Sequence, residues 1–260
     1  MTATKRDSAL ATAWLLPRLA ALLIDMLLVL ALTELAVAAA YNLTGGRVQG
    51  SLGFAFTSCE PVSQLPELTP PAPDGLTYAV RCERSLFGLA MASSLNLGRV
   101  VQSEDGRQLT AGYSYTLDPA GRQVEVALTV GSVHAVILLI AYLALSDWRW
   151  GASIGKRVMR LRTVDLERRY ARGLPLARVL LRHVAMQAGP LLLLCAWVLD
   201  PLLRPALQAA ERSALQAALF WPLVGGWLFW NAMRLTIKSQ PLYDLAAGTT
   251  VVLADAISDR

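Results

Sequence analysis

Apolar residues in this chain come in long runs rather than at every second or third position. The first run extends from Trp14 to Tyr41, and between Leu19 and Tyr41 its only formal charges are Asp25 and Glu34. A hydrocarbon core needs about 20 helical residues to cross, so this run predicts a spanning helix. The Lys5–Arg6 start and the Ala38–Ala39–Ala40 end also resemble a secretory signal. A signal's apolar region is about 7–15 residues; this one is longer and carries two acids, which favours an uncleaved span. Further runs cover Ala127–Leu145, with His134 as its only ionisable group, Val184–Leu199 around Pro190, and Leu215–Ile237 with Arg234 near its end. The third is short, so its helix is expected to begin earlier and let Arg178 and Arg182 snorkel. Trp14, Trp148, Trp150, Trp197 and Trp221 lie near run ends, as an interfacial belt requires. The expected fold is an α-helical membrane protein of about four transmembrane helices, with both termini on one side.

Between the first two runs the pattern changes. Pro61–Pro73 is Pro-rich and reads as an irregular linker. Leu76–Cys82, Leu109–Leu117 and Gln123–Val130 look like strands, with turn signals at Ser103–Gly106 and Asp118–Gly121. The expected domains are 1–41, the cytoplasmic N-terminus and first helix; 42–125, a small extracytoplasmic β-rich insert; and 126–260, the other helices, a basic cytoplasmic loop and an amphipathic C-terminal segment.

Composition agrees with the pattern. Hydrophobic residues make up 55% and charged residues 17%, against about 25% charged in ordinary soluble domains. Mean hydropathy is +0.44. Disorder and a typical soluble enzyme are both disfavoured. A net charge of +5 would suggest nucleic acid in a soluble chain, but here it sits beside apolar runs, where the positive-inside rule accounts for it. From Asp147 to Arg182 ten Lys/Arg face three acids, a balance of +7, whereas from Asn42 to Glu125 six Arg face eight acids, a balance of −2. The basic loop is therefore expected in the cytoplasm and the insert outside. Cys59 and Cys82 both fall in the insert, and an oxidising compartment favours a bond between them; two separate buried thiols are the alternative. Two His and three scattered Cys give no metal site, and neither a catalytic constellation nor a cofactor motif is present. Gly151–Arg157 is only loosely like a phosphate loop: three residues separate its glycines, Arg follows the Lys, and no strand precedes it.

An acid inside a span usually has a partner or a task. Arg18 and Asp25 are seven apart, about 700° of helical turn, so both lie on one face with Asp25 ~10 Å deeper. They are too far apart to pair directly but share one interhelical crevice. Glu34 lies nine positions on, ~180° round the helix, and is expected near the outer interface at the depth of His134. Asp25, Glu34 and His134 are thus the candidate ion or proton path. Pro241 should break the last helix, and Gly248 permits a tight end. Asp244 would then fold back within reach of Arg18, in a pair that should tolerate charge exchange.

Three blocks resemble the RDD family of bacterial membrane proteins: Pro17–Arg18–Leu19–Ala20–Ala21–Leu22–Leu23–Ile24–Asp25; Gly151, Ser153, Ile154–Gly155–Lys156–Arg157 and Leu161–Arg162–Thr163–Val164–Asp165, followed by the basic Leu180–Leu181–Arg182–His183 as a loop-to-helix entry; and Gln240–Pro241–Leu242–Tyr243–Asp244–Leu245–Ala246–Ala247–Gly248–Thr249. The resemblance covers residues 14–41 and 130–253. It implies that Arg18, Asp25 and Asp244 are the residues behind the family's name, and that the protein is multi-pass in the bacterial inner membrane. Many members have a short first outer loop where this chain has its insert, and members often carry His before the last Asp, where this chain has Tyr243. The implied function is transport of an unidentified small solute or ion, cation/proton exchange included. The alternative is a non-enzymatic accessory or scaffold protein that docks on a membrane partner. Expected partners are the lipid bilayer and either a second copy or another membrane protein, with no nucleic acid, no cofactor and no enzymatic reaction.

Overall fold

The structure is a computed structural model and describes residues 13–53, 55–72, 74–102, 108–167, 173–187, 224–237 and 239–254. Two helices among them are long and apolar enough to cross a membrane: α1 (Leu15–Leu43) and α2 (Ser132–Trp150). Their polarity is inverted relative to a soluble helix. Along α1, Leu16, Leu23, Leu27 and Leu32 are 51–59% exposed, while Asp25 and Glu34 are each 1% exposed. In water that arrangement would forfeit burial of apolar side chains and desolvate two carboxylates. In lipid the exposed leucines cost nothing and the carboxylates are better placed facing the protein interior than the acyl chains, so the arrangement argues for a bilayer as solvent.

The chain divides into two units. The first, residues 27–138, includes a four-stranded antiparallel sheet in the order β2–β3–β4–β5, where β2 is Phe56–Pro61, β3 Tyr78–Leu86, β4 Leu89–Gln102 and β5 Gln108–Leu117. Leu95 and Leu97 of β4 and Tyr115 and Leu117 of β5 pack with Leu68 as its core. A second small pairing is parallel, between β1 (Val48–Gly50) and β6 (Leu128–Val130). The end of α1 is anchored here: Val37 and Ala38 pack on Leu86 and Met91, and the buried Tyr41 hydroxyl donates to Leu117 O at 3.4 Å.

The insert departs from the sequence expectation in detail. Strands were expected at three places, and β5 lies where Leu109–Leu117 was read. β3 begins two residues after Leu76 and continues to Leu86. Of Gln123–Val130 only Leu128–Val130 is a strand, and Gln123 makes an isolated bridge to Leu117. β2 and β4 were not anticipated. In β4 the buried positions Met91, Ser93, Leu95 and Leu97 do alternate, but the buried Ser93 breaks the apolar signal. In β2 every position is exposed, so no alternation exists to read. β2 is held instead by pairing: Cys59 stands opposite Cys82 in the register, and the two form a disulfide. The turn signal at 118–121 is used, with Gly121 N–H donating to Asp118 O at 3.0 Å; the one at 103–106 lies outside the described residues.

The disulfide closes a loop of 23 positions, for which constraint of the unfolded chain typically stabilises by about 2–4 kcal/mol. Cys59→Ser with Cys82→Ser is therefore expected to lower the unfolding midpoint of the insert and expose β2 to limited proteolysis. Peptide mapping under non-reducing conditions checks the bond itself; two free thiols from the mature protein would remove this expectation.

The second unit comprises residues 1–26 and 139–260. It holds the start of α1, most of α2, α3 (Ile154–Val158), α4 (Leu176–Met186), α5 (Leu242–Ala247), and a two-stranded antiparallel sheet of β7 (Leu161–Asp165) and β8 (Thr249–Leu253). Residues 224–236 are also helical. The expected third span, Val184–Leu199, lies outside the described residues from 188 onward, and the expected fourth, Leu215–Ile237, lies outside them as far as 223. The C-terminal segment holds the helix α5 followed by the strand β8. Pro241 precedes α5, and Gly248 ends it in the left-handed conformation at φ 63°, a geometry glycine adopts without steric cost. Val251 and Val252 of β8 are 1% and 0% exposed: they pair with the 161–165 segment rather than lying on a surface.

Candidate functional site

The second unit is built around buried charge. Arg18, one turn into α1, donates from Nε to Ala13 O at 2.9 Å and from Nη1 to Asp244 Oδ2 at 2.8 Å. Asp244, in the first turn of α5, is fully buried. Its other oxygen accepts from Arg182 Nε at 2.7 Å. Arg182, 4% exposed on α4, turns its Nη1 to Asp147 Oδ2 at 2.5 Å. Asp147, fully buried in α2, accepts through Oδ1 from Lys156 Nζ at 2.5 Å and from the Thr163 hydroxyl at 3.2 Å. Charges alternate along the whole chain of contacts: Arg18, Asp244, Arg182, Asp147, Lys156. A buried ion pair offsets its desolvation only when its geometry is good, and here each buried carboxylate is met by a cation on either side. Burial pushes the Lys156 ammonium below its usual range, against the pull of Asp147. Burial pushes the Tyr243 phenol up, Asp244 adds to it, and Arg18 and Arg182 oppose it.

Asp25 has a separate position. Its Oδ1 accepts from Gly155 N–H at 2.7 Å and from the Tyr142 hydroxyl at 3.1 Å, and its Oδ2 from the Ser153 hydroxyl at 2.5 Å. Ser153 is also the N-cap of α3, accepting from Lys156 N–H. Asp25 thus ties α1 to the start of α3. This explains the Gly–x–Ser–Ile–Gly–Lys pattern physically: a Cβ on Gly155 would lie 2.0 Å from Ala21 O, so only glycine lets α3 approach α1 this closely. Gly151, at φ +71°, supplies the turn that leads into it.

A cavity of about 130 Å³ lies among these groups, with Arg18, Asp25, Lys156, Arg182, His183 and Tyr243 on its polar side and Leu15, Leu19, Leu22, Leu143, Leu161 and Leu235 among its apolar walls. His183, 5% exposed, brings Nε2 to 3.3 Å from Asp147 Oδ2, yet neither ring nitrogen makes a hydrogen bond. No group of three or more His, Cys, Asp or Glu among the described residues could hold a metal.

The structure joins Arg18 to Asp244 directly, and both Arg18 and Asp25 line the cavity. In the other unit, Glu34 is buried, while His134 is exposed and accepts at Nδ1 from Gly131 N–H at 3.2 Å. Sequence reasoning did not name Asp147, Lys156, Thr163 and Arg182 as site residues: Asp147 entered only as loop charge, Lys156 and Thr163 only within a family-like block, and Arg182 as a snorkelling side chain at a span end. The available signal was the placement of Asp147 at the end of an apolar run, where an acid disturbs the positive balance.

Apolar helices that turn leucines outward and carboxylates inward, with buried charge joining three parts of the chain distant in sequence, define a membrane-type protein organised around an internal ion-pair cluster. The RDD family profile matches residues 98–248, more than half of the chain, and the chain belongs to the RDD family. The match takes in Asp147, the Gly151–Arg157 block, Arg182 and Asp244; the opening block with Arg18 and Asp25 precedes it. No curated protein and no solved structure matches the chain.

Proposed function

We propose that the protein is a multi-pass component of the bacterial inner membrane, with about four spans, that moves a small solute or ion by way of the cavity in its second unit. The carrying observation is that this cavity places the buried Asp25, Arg182 and His183 and the partly buried Lys156 against otherwise apolar walls. Buried ionisable groups beside a cavity are where membrane transport chemistry is found. Four spans enclose little space, so a second copy or a membrane partner would complete the path. Purified protein in proteoliposomes, assayed with ion-sensitive and pH-sensitive dyes, tests this: a gradient-dependent flux that Lys156→Gln or His183→Gln alters supports it, and no flux for any solute removes it.

The second reading, a non-enzymatic accessory or scaffold, is favoured by Asp25. Three protein donors fill this carboxylate, as expected of a fastening rather than a carrier. A stable co-purifying membrane protein together with absent flux would select it.

The proposed orientation has the N-terminus, the 147–182 loop and the C-terminus in the cytoplasm, and residues 42–125 outside, where the Cys59–Cys82 bond would be maintained. Arg157, in the basic loop, and Glu67, in the insert, are exposed. In intact spheroplasts an impermeant thiol reagent is expected to modify Glu67→Cys and not Arg157→Cys. The reverse result inverts the topology.

A further inference from the structure

The cavity in the second unit is not neutral in its hydrogen-bonding capacity. Its carboxylates are engaged: Asp244 by Arg18 and Arg182, Asp147 by Arg182, Lys156 and Thr163, and Asp25 by three donors. A cation entering would have to displace an existing donor. Its donors are not exhausted. Of the five guanidinium hydrogens an arginine carries, Arg182 uses those on Nε and Nη1, and its Nη2 donates to no group among the described residues. Lys156 has three hydrogens and spends two, on Asp147 and Thr163. His183 is buried with both ring nitrogens unbonded.

The cavity volume of about 130 Å³ far exceeds the ~10–15 Å³ that one water requires. Two of its walls, Leu19 and Leu22, are also 44% and 43% exposed. The apolar side of the cavity is therefore continuous with the face that α1 turns to lipid.

We propose, building on the cavity of the transport reading, that this site takes the oxyanion head of a membrane amphiphile, a carboxylate or phosphate on an alkyl tail. The head lies on Arg182 Nη2, Lys156 and His183, and the tail leaves past Leu19 and Leu22. Three cations (Arg18, Lys156, Arg182) balance three carboxylates (Asp25, Asp147, Asp244) before the ligand arrives. His183 brings Nε2 to 3.3 Å from Asp147 Oδ2, and its other ring nitrogen, buried without a hydrogen bond, is left for the head.

Native mass spectrometry of the full chain released from a neutral detergent tests this, with dodecanoate as probe and dodecylamine, acetate and phosphatidylglycerol as comparisons. One saturable copy of dodecanoate is expected. Neither dodecylamine nor acetate should bind at the same concentration. Leu22→Trp, which fills the mouth and leaves every charge in place, should weaken binding at least tenfold. His183→Gln, which takes the ring away from the head, should weaken binding at least threefold. Phosphatidylglycerol bound in place of dodecanoate would support the site and identify its head as a lipid phosphate. Dodecylamine bound as tightly as dodecanoate, or dodecanoate binding indifferent to Leu22→Trp and His183→Gln, overturns the proposal. One bound dodecanoate without any proteoliposome flux keeps this site and removes the transport reading; cation flux without dodecanoate binding does the reverse.

Discussion

Replacing Arg182 with alanine is expected to abolish accumulation of folded protein. Its guanidinium is shared by two fully buried carboxylates, Asp147 and Asp244. Each keeps one other cation, Lys156 or Arg18, but the middle of an alternating row is gone. Breaking one buried pair by removing a partner typically costs about 3–5 kcal/mol, and two are broken at once. Against a total stability of about 5–15 kcal/mol that leaves little. Arg182→Lys should rescue poorly, because a single ammonium cannot present two separated donors to two acids. Fluorescence-detected size exclusion in mild detergent reads the monodisperse fraction. A normal profile for Arg182→Ala would mean that the row is not holding the unit together.

The same geometry alters what charge exchange at Arg18 and Asp244 should do. Considered as an isolated pair, Arg18→Asp with Asp244→Arg should recover part of the loss from either single change. Because Asp244 also accepts from Arg182, the exchange places an arginine directly against Arg182 and leaves that residue with Asp147 alone. Rescue is therefore expected to fail, while Arg18→Ala alone should be milder than Asp244→Ala, which strands two guanidinium groups.

The second large effect is expected from one methyl group. In Gly155→Ala the new Cβ would lie 2.0 Å from Ala21 O and 2.9 Å from Asp25 Cγ. Neither is the free end of a flexible chain: one belongs to the α1 backbone and the other to a carboxylate held by three donors. Helix α3 must withdraw, and Asp25 then loses Gly155 N–H and Ser153 together. Overpacking alone typically costs about 1–3 kcal/mol, and the stranded carboxylate adds to it. Gly225→Ala is the matched control: nothing lies within 4 Å of its Cβ position, and alanine is the better helix former by about 1 kcal/mol. A thermal midpoint markedly lowered by the first change and unchanged or raised by the second is the expected pattern. Equal midpoints would mean that α3 does not press on α1 at Gly155.

Much of this protein is written in one dimension. An apolar run of 28 residues from Trp14 to Tyr41 specifies a long helix whatever it packs against, since in lipid every backbone group must bond within its own segment. The motif blocks were legible because they are local: Pro241 and Gly248 start and stop α5 through their own backbone restrictions. Cys59 and Cys82 could be paired because few thiols were available in that segment. Other features had no local cause. Strand β2 has no buried side chain and exists through pairing and its disulfide. Strand β8 exists because Leu161–Asp165 lies beside it. Asp147 and Arg182 are 35 positions apart, and Asp244 lies a further 62 beyond Arg182. Nothing in periodicity or propensity couples such distant charges. Their partners are decided only when α2, α4 and α5 pack, because the desolvation that makes an ion pair obligatory arises only once tertiary packing has excluded the surrounding solvent.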